Sequence, residues 1–320
     1  ASDVYKRQLI DSTQALEVNE FPSSAVIIGA GAIALEFASM WNAAGSKVTL
    51  LIRKDRVLSA WDRRAGTTLT RELKRHGVNI ITRASVTHVD TGANLGATVH
   101  YTREGQDGEQ SVRGGIALVA IGRDPITDPA WGVTIDDHGH VATDAYGRTD
   151  KPGVWAVGDV TAGHALAHRA FEQGIVIAET IAGLNPKPVD EATVPQIVFS
   201  FPEAASVGLT VEQAQAREDL IEIKETNYPM LANARMLMSG TAGSLTIVSG
   251  CDAANPDTPR VLGVHMVSQM ASDIIAEAEQ LVGNHVPLAD AARLVHPHPT
   301  FSETLGEALL KADGRPLHTR

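Results

Sequence analysis

The chain has 320 residues, 43% hydrophobic and 20% charged, with a formal net charge of −11. That length supports two or three domains with real cores, and the acidic balance argues against a general nucleic-acid or membrane surface. Its single cysteine, Cys251, excludes an internal disulfide and a thiolate metal cluster. With no bilayer-length apolar run and no signal peptide, a cytoplasmic setting is expected.

Residues 1–8 fit no periodic pattern, as a non-native scar would not. Asp11 to Leu16 suggests a helical turn leading to Phe21-Pro22 and a first strand. The stretch Val26-Ile27-Ile28-Gly29-Ala30-Gly31-Ala32-Ile33-Ala34-Leu35-Glu36 then predicts a buried strand, a glycine turn and the opening of a helix. Gly29 permits the tight turn, Gly31 lets backbone approach a pyrophosphate, and Ala34 lets helix and strand pack closely. The helix should run through Phe37, Ala38 and Trp41 to about Gly45, followed by a strand from Lys47 to Ile52. A glycine turn alone is a weak motif, and a bland tight turn is the alternative. Strand, motif, helix and second strand in this order are the context a dinucleotide site needs.

The end of that second strand bears on which dinucleotide is taken. An NAD site usually places an acid there, facing the ribose hydroxyls. This chain has Arg53, Lys54 and Arg56, with Asp55 past the strand end. Such cations suit a 2′-phosphate, which favours NADP over NAD. A solvated basic loop is the other reading.

Arg63 to His76 predicts an amphipathic helix with Leu69 and Leu73 on one face and Gly77 as its stop. Strands are expected at Val78–Ile81, Val86–Val89, Ala97–Tyr101 and Ile116–Ile121, with a turn at Glu104–Gly108. Short extended pieces should fill Trp131 to Tyr146. Val154 to Asp159 predicts another buried strand ending in an acid, then a helix from Ala165 to Ile181. Asp159 would lie where ligands sit on α/β sheets, or else simply cap the next helix. Beyond Asn185-Pro186-Lys187-Pro188, strands are expected at Gln196–Ser200, Ser244–Val248 and Val261–Val267. Helices are expected at Thr210–Arg217, Ser272–Val282, Leu288–Val295 and Ser302–Leu310, an α+β pattern.

The second informative stretch is His296-Pro297-His298-Pro299-Thr300-Phe301-Ser302-Glu303. Pro299 holds His298 extended, and Ser302 could cap a helix that has Glu303 in its first turn. Glu303 could reach one nitrogen of His298 and aim the other at a substrate, making an acid/base pair. Plain loop histidines are one alternative. A metal pair from His296 and His298 is another, although no nearby residues complete a coordination sphere. No metal site is expected.

These residues together resemble the class I pyridine nucleotide–disulfide oxidoreductases, from about Leu9 onward. The resemblance implies an NAD(P) turn at Gly29–Glu36, with Glu36 near nicotinamide and flavin, and a return strand at Ile121-Gly122-Arg123. It implies a flavin segment in which Asp159 meets the ribityl chain, with Leu166, Ala167 and His168 lying against the flavin. Phe201 to Gly208 resembles the start of the family's dimerisation domain. His298 with Glu303 resembles the acid/base that serves the thiols of a partner subunit. Around Leu166–Gly174 and His298 the likeness is to the dihydrolipoamide dehydrogenases. Arg53 to Leu58 instead resembles the NADP site of the glutathione reductases.

The implied fold is α/β: an N-terminal segment (1–20), a Rossmann-like NAD(P)-binding domain (21–122), the C-terminal part of an FAD-binding domain (123–190) and an α+β dimerisation domain (191–320). The implied cofactors are FAD and NADP, with NAD the alternative. The implied partners are a second copy of the chain and a disulfide, either a small molecule or protein-bound lipoamide. The family's opening flavin fingerprint and redox-active cysteine pair are not in this sequence, so the chain resembles the C-terminal portion of such an enzyme and is expected to be inactive alone. A flavin-dependent quinone or metal-ion reductase without the disulfide, and a non-catalytic nucleotide-binding dimerisation module, are the alternatives.

Overall fold

The computed structural model describes residues 8–92 and 96–319. Of the N-terminal stretch 1–8, residues 1–7 lie outside the described residues. Residues 1–121 and 197–320 form one compact unit, and residues 122–196 form another.

The first part of the larger unit contains β1 (Leu9–Ile10), α1 (Ser12–Leu16), β2 (Ser24–Ile28), α2 (Ala32–Ala43), β3 (Lys47–Leu51), α3 (Arg63–Arg75), β4 (Asn79–Ile81), β5 (Ala84–Thr91), β6 (Ala97–Arg103), β7 (Gln110–Gly114) and β8 (Ile116–Val119). Five of these strands form a parallel sheet in the order β1-β8-β2-β3-β4. Their apolar runs are buried on both faces, as a parallel sheet demands. Ala34, Leu35, Ala38 and Trp41 of α2 pack on one face with Ile27 and Leu50. On the other face Val26, Leu51 and Ala117 meet Val99 and Tyr101 of the antiparallel sheet β5-β6-β7. The caps follow the local chemistry. Asp11 forms a capping box at α1, and the Asp62 carboxylate accepts Ala65 N–H at 2.8 Å to start α3. β1 and β7 were not anticipated: β1 is only two residues long, and β7 is a polar outer strand.

Residues 122–196 carry little regular structure beyond α4 (Ala167–Ile181). Asp136 and Asp144 each accept backbone N–H groups two and four residues on, folding the loops that follow them. The strand expected over Val154–Asp159 does not form. Trp155 makes one bridge to Arg148, and the chain then turns through Gly158 (φ +77°) into a short 3-10 segment, Gly158–Val160. An apolar run becomes a strand only where a neighbour takes its hydrogen bonds. Here the only ladder among the described residues is one bridge, in which the Gly147 carbonyl accepts Ala156 N–H at 3.0 Å and the Val154 carbonyl accepts Thr149 N–H at 3.1 Å.

The remainder contains β9 (Gln196–Val198), β10 (Glu203–Gly208), α5 (Val211–Gln215), β11 (Leu220–Pro229), α6 (Ala234–Ser239), β12 (Ser244–Asp252), β13 (Asn255–Ser268), α7 (Ala271–Gly283), α8 (Leu288–Ala291) and α9 (Glu303–Ala312). The sheet order is β11-β12-β13-β10-β9. Alternation along the strands sends Ile247, Val264 and Met266 toward Ile274, Ile275 and Ala278 of α7 and Leu305 and Leu309 of α9. The opposite face meets α3. There the Ser244 hydroxyl donates to Thr68 Oγ1 at 3.0 Å.

Candidate active site

The glycine turn between β2 and α2 separates two demands. Gly29 has φ +144°, and a Cβ there would stand 2.2 Å from the Ala120 carbonyl oxygen on neighbouring backbone. The fold therefore requires glycine at 29. Gly31 has φ −90° and ψ −177°, which any residue adopts, and a Cβ there would meet nothing within 4 Å. Packing does not require glycine at 31. Gly31 is also the N-cap of the twelve-residue α2, and no side chain caps that end. The open space in front of uncapped N–H groups fits a pyrophosphate. Ala34 is fully buried beneath the turn, and its Cβ lies 3.3 Å from where a Gly29 Cβ would be. The Glu36 carboxylate, one turn along α2, accepts the Phe199 N–H at 3.0 Å and so ties the helix to the loop after β9.

Of the three cations past β3, two face solvent. Arg53 and Lys54 are exposed. Arg56 turns inward, with its side chain only 17% exposed. It donates to Asp55 at 3.2 Å and to the Ser59 carbonyl at 3.1 Å. Its stem lies against Gly66 of α3, where a Cβ would be 3.2 Å from Arg56 Cδ.

His298 precedes α9, and Glu303 opens that helix. His298 Nδ1 lies 2.8 Å from Glu303 Oε2. The carboxylate can only accept, so in the neutral ring the proton sits on Nδ1 and the lone pair on Nε2. The imidazole is 70% exposed, whereas the carboxylate is only 14% exposed. Asn233, 3% exposed at the N-cap of α6, holds the other side of that carboxylate. Its Nδ2 donates to Glu303 Oε1 at 2.9 Å and to the Thr300 carbonyl at 3.0 Å, and its Oδ1 accepts Met236 N–H at 3.0 Å. Thr300 Oγ1 accepts Glu303 N–H at 3.2 Å. Tyr228, Ala232, Asn233, His298, Glu303, Glu307 and His318 line a cleft of about 310 Å³. Within it, Glu307 accepts from the Tyr228 hydroxyl at 3.3 Å and from His318. Burial, and then the Glu307 charge, push the Tyr228 hydroxyl above its ordinary pKa.

His296 bonds a different carboxylate, Glu277, at 2.9 Å. That hydrogen bond raises its imidazole above the ordinary range, against the effect of burial. The ring lies on Gly306 of α9, where a Cβ would be 2.3 Å from Nδ1. His296 and His298 therefore do not share a ligand.

A family model for pyridine nucleotide-disulphide oxidoreductases matches residues 1–174, and the model for that family's dimerisation domain matches residues 194–309. The chain belongs to the pyridine nucleotide-disulphide oxidoreductases. A dihydrolipoyl dehydrogenase of Cupriavidus necator is 37% identical over 313 residues, covering 96% of this chain and 64% of the relative. One from Bacillus subtilis is 35% identical over 321 residues, covering 99% and 66%. The chain thus spans just under two thirds of the length of these relatives. Among solved structures, LpdA from Mycobacterium tuberculosis superposes with a TM-score of 0.83 at 27% identity, over 96% of this chain and 65% of that one. The HOCl-induced flavoprotein disulfide reductase RclA from Escherichia coli gives 0.82 at 27% identity, over 94% and 68%.

The oxidoreductases of this family bind FAD as well as NAD(P). Within residues 122–196, Asp159 is exposed on its 3-10 turn, and Leu166, the N-cap of α4, provides no side-chain cap. An open carboxylate and an uncapped helix start fit the ribityl hydroxyls and polar edge of a flavin. Ala167 and His168 are exposed in the first turn, and His168 donates Nε2–H to the Pro195 carbonyl at 2.7 Å. Gly122 (φ +149°) and Arg123 are exposed after β8. Sequence reasoning missed Asn233, Tyr228, Glu307 and His318. The one local signal was an asparagine standing before a helical run, an N-cap pattern that points to α6 and not to Glu303, 70 residues away.

Proposed function

We propose that this chain carries the nicotinamide site, part of the flavin site and the proton-transfer pair of a disulfide oxidoreductase similar to dihydrolipoyl dehydrogenase. The observation that carries the reading is the His298–Glu303 pair, one ring nitrogen held by a carboxylate and the other open to solvent. FAD, when bound, supplies electron transfer between a nicotinamide and a disulfide. Asp159, Leu166, Ala167 and His168 would hold it.

The residues of the chain divide the remaining work. Gly29, Gly31 and Ala34 bring backbone N–H groups to the pyrophosphate. Arg53 and Lys54 meet a 2′-phosphate, which supports NADP as the preferred nucleotide, while Arg56 braces their loop. Glu303 keeps the proton of His298 on Nδ1. Nε2 is then free to take a proton from a thiol and to return it. Asn233 fixes the rotamer of Glu303, so the imidazole needs little reorganisation. A quinone or metal-ion reductase would have no use for this pair, which favours the disulfide reading.

The single cysteine of the sequence is fully buried, and burial pushes its thiol upward in pKa. Cys251 is no redox partner, so disulfide turnover needs a thiol pair that this sequence lacks. The proposal includes a homodimer, cytoplasmic and acting on a small disulfide or protein-bound lipoamide. Exposed Leu237, Met238 and Val295 supply apolar surface for the dimer. The test is NADPH- and NADH-dependent reduction of lipoamide and glutathione disulfide by this chain. Nucleotide binding without turnover is expected, and turnover would overturn the reading.

A further inference from the structure

The antiparallel sheet β5-β6-β7 carries a side-chain cluster that the nucleotide and acid/base chemistry does not use. The ladder between β5 and β6 is irregular between Val86 and His88. Val86 pairs with Tyr101, and His88 pairs with His100, so Thr87 is the extra residue of a bulge. The bulge shifts the phase of β5. Val86 and Val89 both pack inward against the core. His88 and Asp90, two apart after the bulge, then share the outer face with His100 directly opposite. Were the strand to alternate regularly through Thr87, His88 would share the inward face of Val86.

The outer face therefore brings two imidazoles and a carboxylate together. The rings of His88 and His100 are stacked, with centroids 4.1 Å apart and planes 7° apart. Their Nε2 atoms lie 3.8 and 3.1 Å from the same oxygen, Asp90 Oδ2. One donor atom from each residue falls within 4.8 Å of the other two. Tetrahedral ligands each about 2.05 Å from a metal stand about 3.3 Å apart; the 3.1 Å His100–Asp90 distance meets that spacing, whereas His88, at 3.8 Å and stacked on His100, must rotate out of the stack for one ion to lie in both ring planes.

Behind the rings sits a second carboxylate. Glu109 Oε1 lies 3.7 Å from His88 Nδ1, and Oε2 lies 3.6 Å from His100 Nδ1. The Thr87 hydroxyl donates to Glu109 Oε1 at 2.6 Å and stands 3.2 Å from His88 Nδ1. With a cation between the two Nε2 atoms and Asp90, Glu109 and Thr87 on the Nδ1 side would hold each ring's proton there and leave the Nε2 lone pairs for the ion. That is the arrangement that orients ligating histidines in metal sites.

We propose that His88, His100 and Asp90 bind one divalent transition-metal ion, with Glu109 and Thr87 orienting the imidazoles. Two imidazoles and a carboxylate suit Zn²⁺, Ni²⁺ and Cu²⁺ better than Mg²⁺ or Ca²⁺, with Cu²⁺ held most tightly. Asp90 and His88 are exposed, so the ion enters from solvent and water completes its shell. Bound there, it clips β5 to β6 across the bulge. The site is independent of the proposed redox chemistry, and its test does not read activity.

The experiment is calorimetric titration of the whole chain with ZnCl₂ and CuCl₂, joined to EPR of the Cu²⁺ form. One site of defined stoichiometry is expected, with nitrogen hyperfine structure from two imidazoles. The double variant His88→Ala/His100→Ala should lose at least about 100-fold in affinity and the hyperfine pattern. Asp90→Asn, which keeps side-chain shape, should lose at least about 10-fold. Glu109→Gln should lose about 10-fold, the usual cost of removing an outer-shell partner. His138→Ala, an exposed histidine outside the cluster, should bind as the parent does. Unchanged stoichiometry and affinity in the double variant, or loss confined to His138→Ala, would overturn the proposal. So would absence of binding in the parent chain.

Discussion

Replacing Gly31 with alanine separates what the turn needs from what a ligand needs. The residue has φ −90° and ψ −177°, and a Cβ would meet nothing within 4 Å. Alanine is a poorer N-cap than glycine, costing about 0.5–1 kcal/mol, but it also restricts the unfolded chain by about 0.4–1 kcal/mol. The two offset, so the variant should unfold within about 0.5 kcal/mol of the parent. The added methyl occupies the space in front of the α2 N–H groups, where the pyrophosphate must come close. At least a tenfold loss of dinucleotide affinity is expected, about 1.4 kcal/mol. Gly29→Ala is the contrast. It places Cβ 2.2 Å from the Ala120 carbonyl oxygen at φ +144°. Backbone strain of about 2 kcal/mol and overpacking of about 2 kcal/mol add to a loss of about 4 kcal/mol in stability. Urea unfolding and nucleotide titration of both variants read the two quantities separately. Parent-like affinity in Gly31→Ala, or unfolding as easy as that of Gly29→Ala, would refute the reasoning.

Other outcomes follow from the acid/base segment. Asn233→Ala removes the α6 cap, about 1 kcal/mol, the bond to Thr300, about 1, and the charge-assisted bond to Glu303, about 2, so urea unfolding should show a loss of about 4 kcal/mol. Asn233→Asp keeps the cap but sets a second carboxylate against Glu303. In an assay that restores the thiol pair it should lower turnover more than nucleotide affinity. His298→Gln in the same assay should leave nucleotide binding intact and abolish most disulfide turnover, and equal loss of both would assign His298 a structural role. The His296–Glu277 pair has a pH signature. The folded imidazole is raised by Glu277, so its contribution is fully present below about pH 6.5, the unfolded value, and is lost as pH rises through the folded value. The Tm of the parent should fall through that window, and Glu277→Gln should flatten the profile there.

The legible parts of this chain were those whose geometry is local. The Gly29–Ala34 turn and the His298–Glu303 pair each span about a turn of backbone, so residue spacing alone brings their groups together. The long-range pairs were not legible. Asn233 reaches Glu303 only because β11, β12 and α9 pack side by side, and the His88–His100 cluster depends on a bulge that no composition reveals. The three cations after β3 look equivalent as letters, yet Arg56 folds back onto Gly66 while Arg53 and Lys54 stay outside. β10 (Glu203–Gly208) was missed because its small residues carry little strand character; they are buried because α7 and β13 cover them. Val154–Asp159 shows the reverse error, an apolar run with no neighbouring ladder to join.

The most direct test of the account is calorimetric titration of the chain with NADPH beside NADH, repeated on Arg53→Glu. The account predicts that both nucleotides bind, that NADPH binds more tightly, and that Arg53→Glu weakens NADPH far more than NADH. Tighter binding of NADH, with Arg53→Glu indifferent, would contradict the assignment of Arg53 and Lys54 to a 2′-phosphate. Binding of neither nucleotide by the folded chain would contradict the reading of the glycine turn itself.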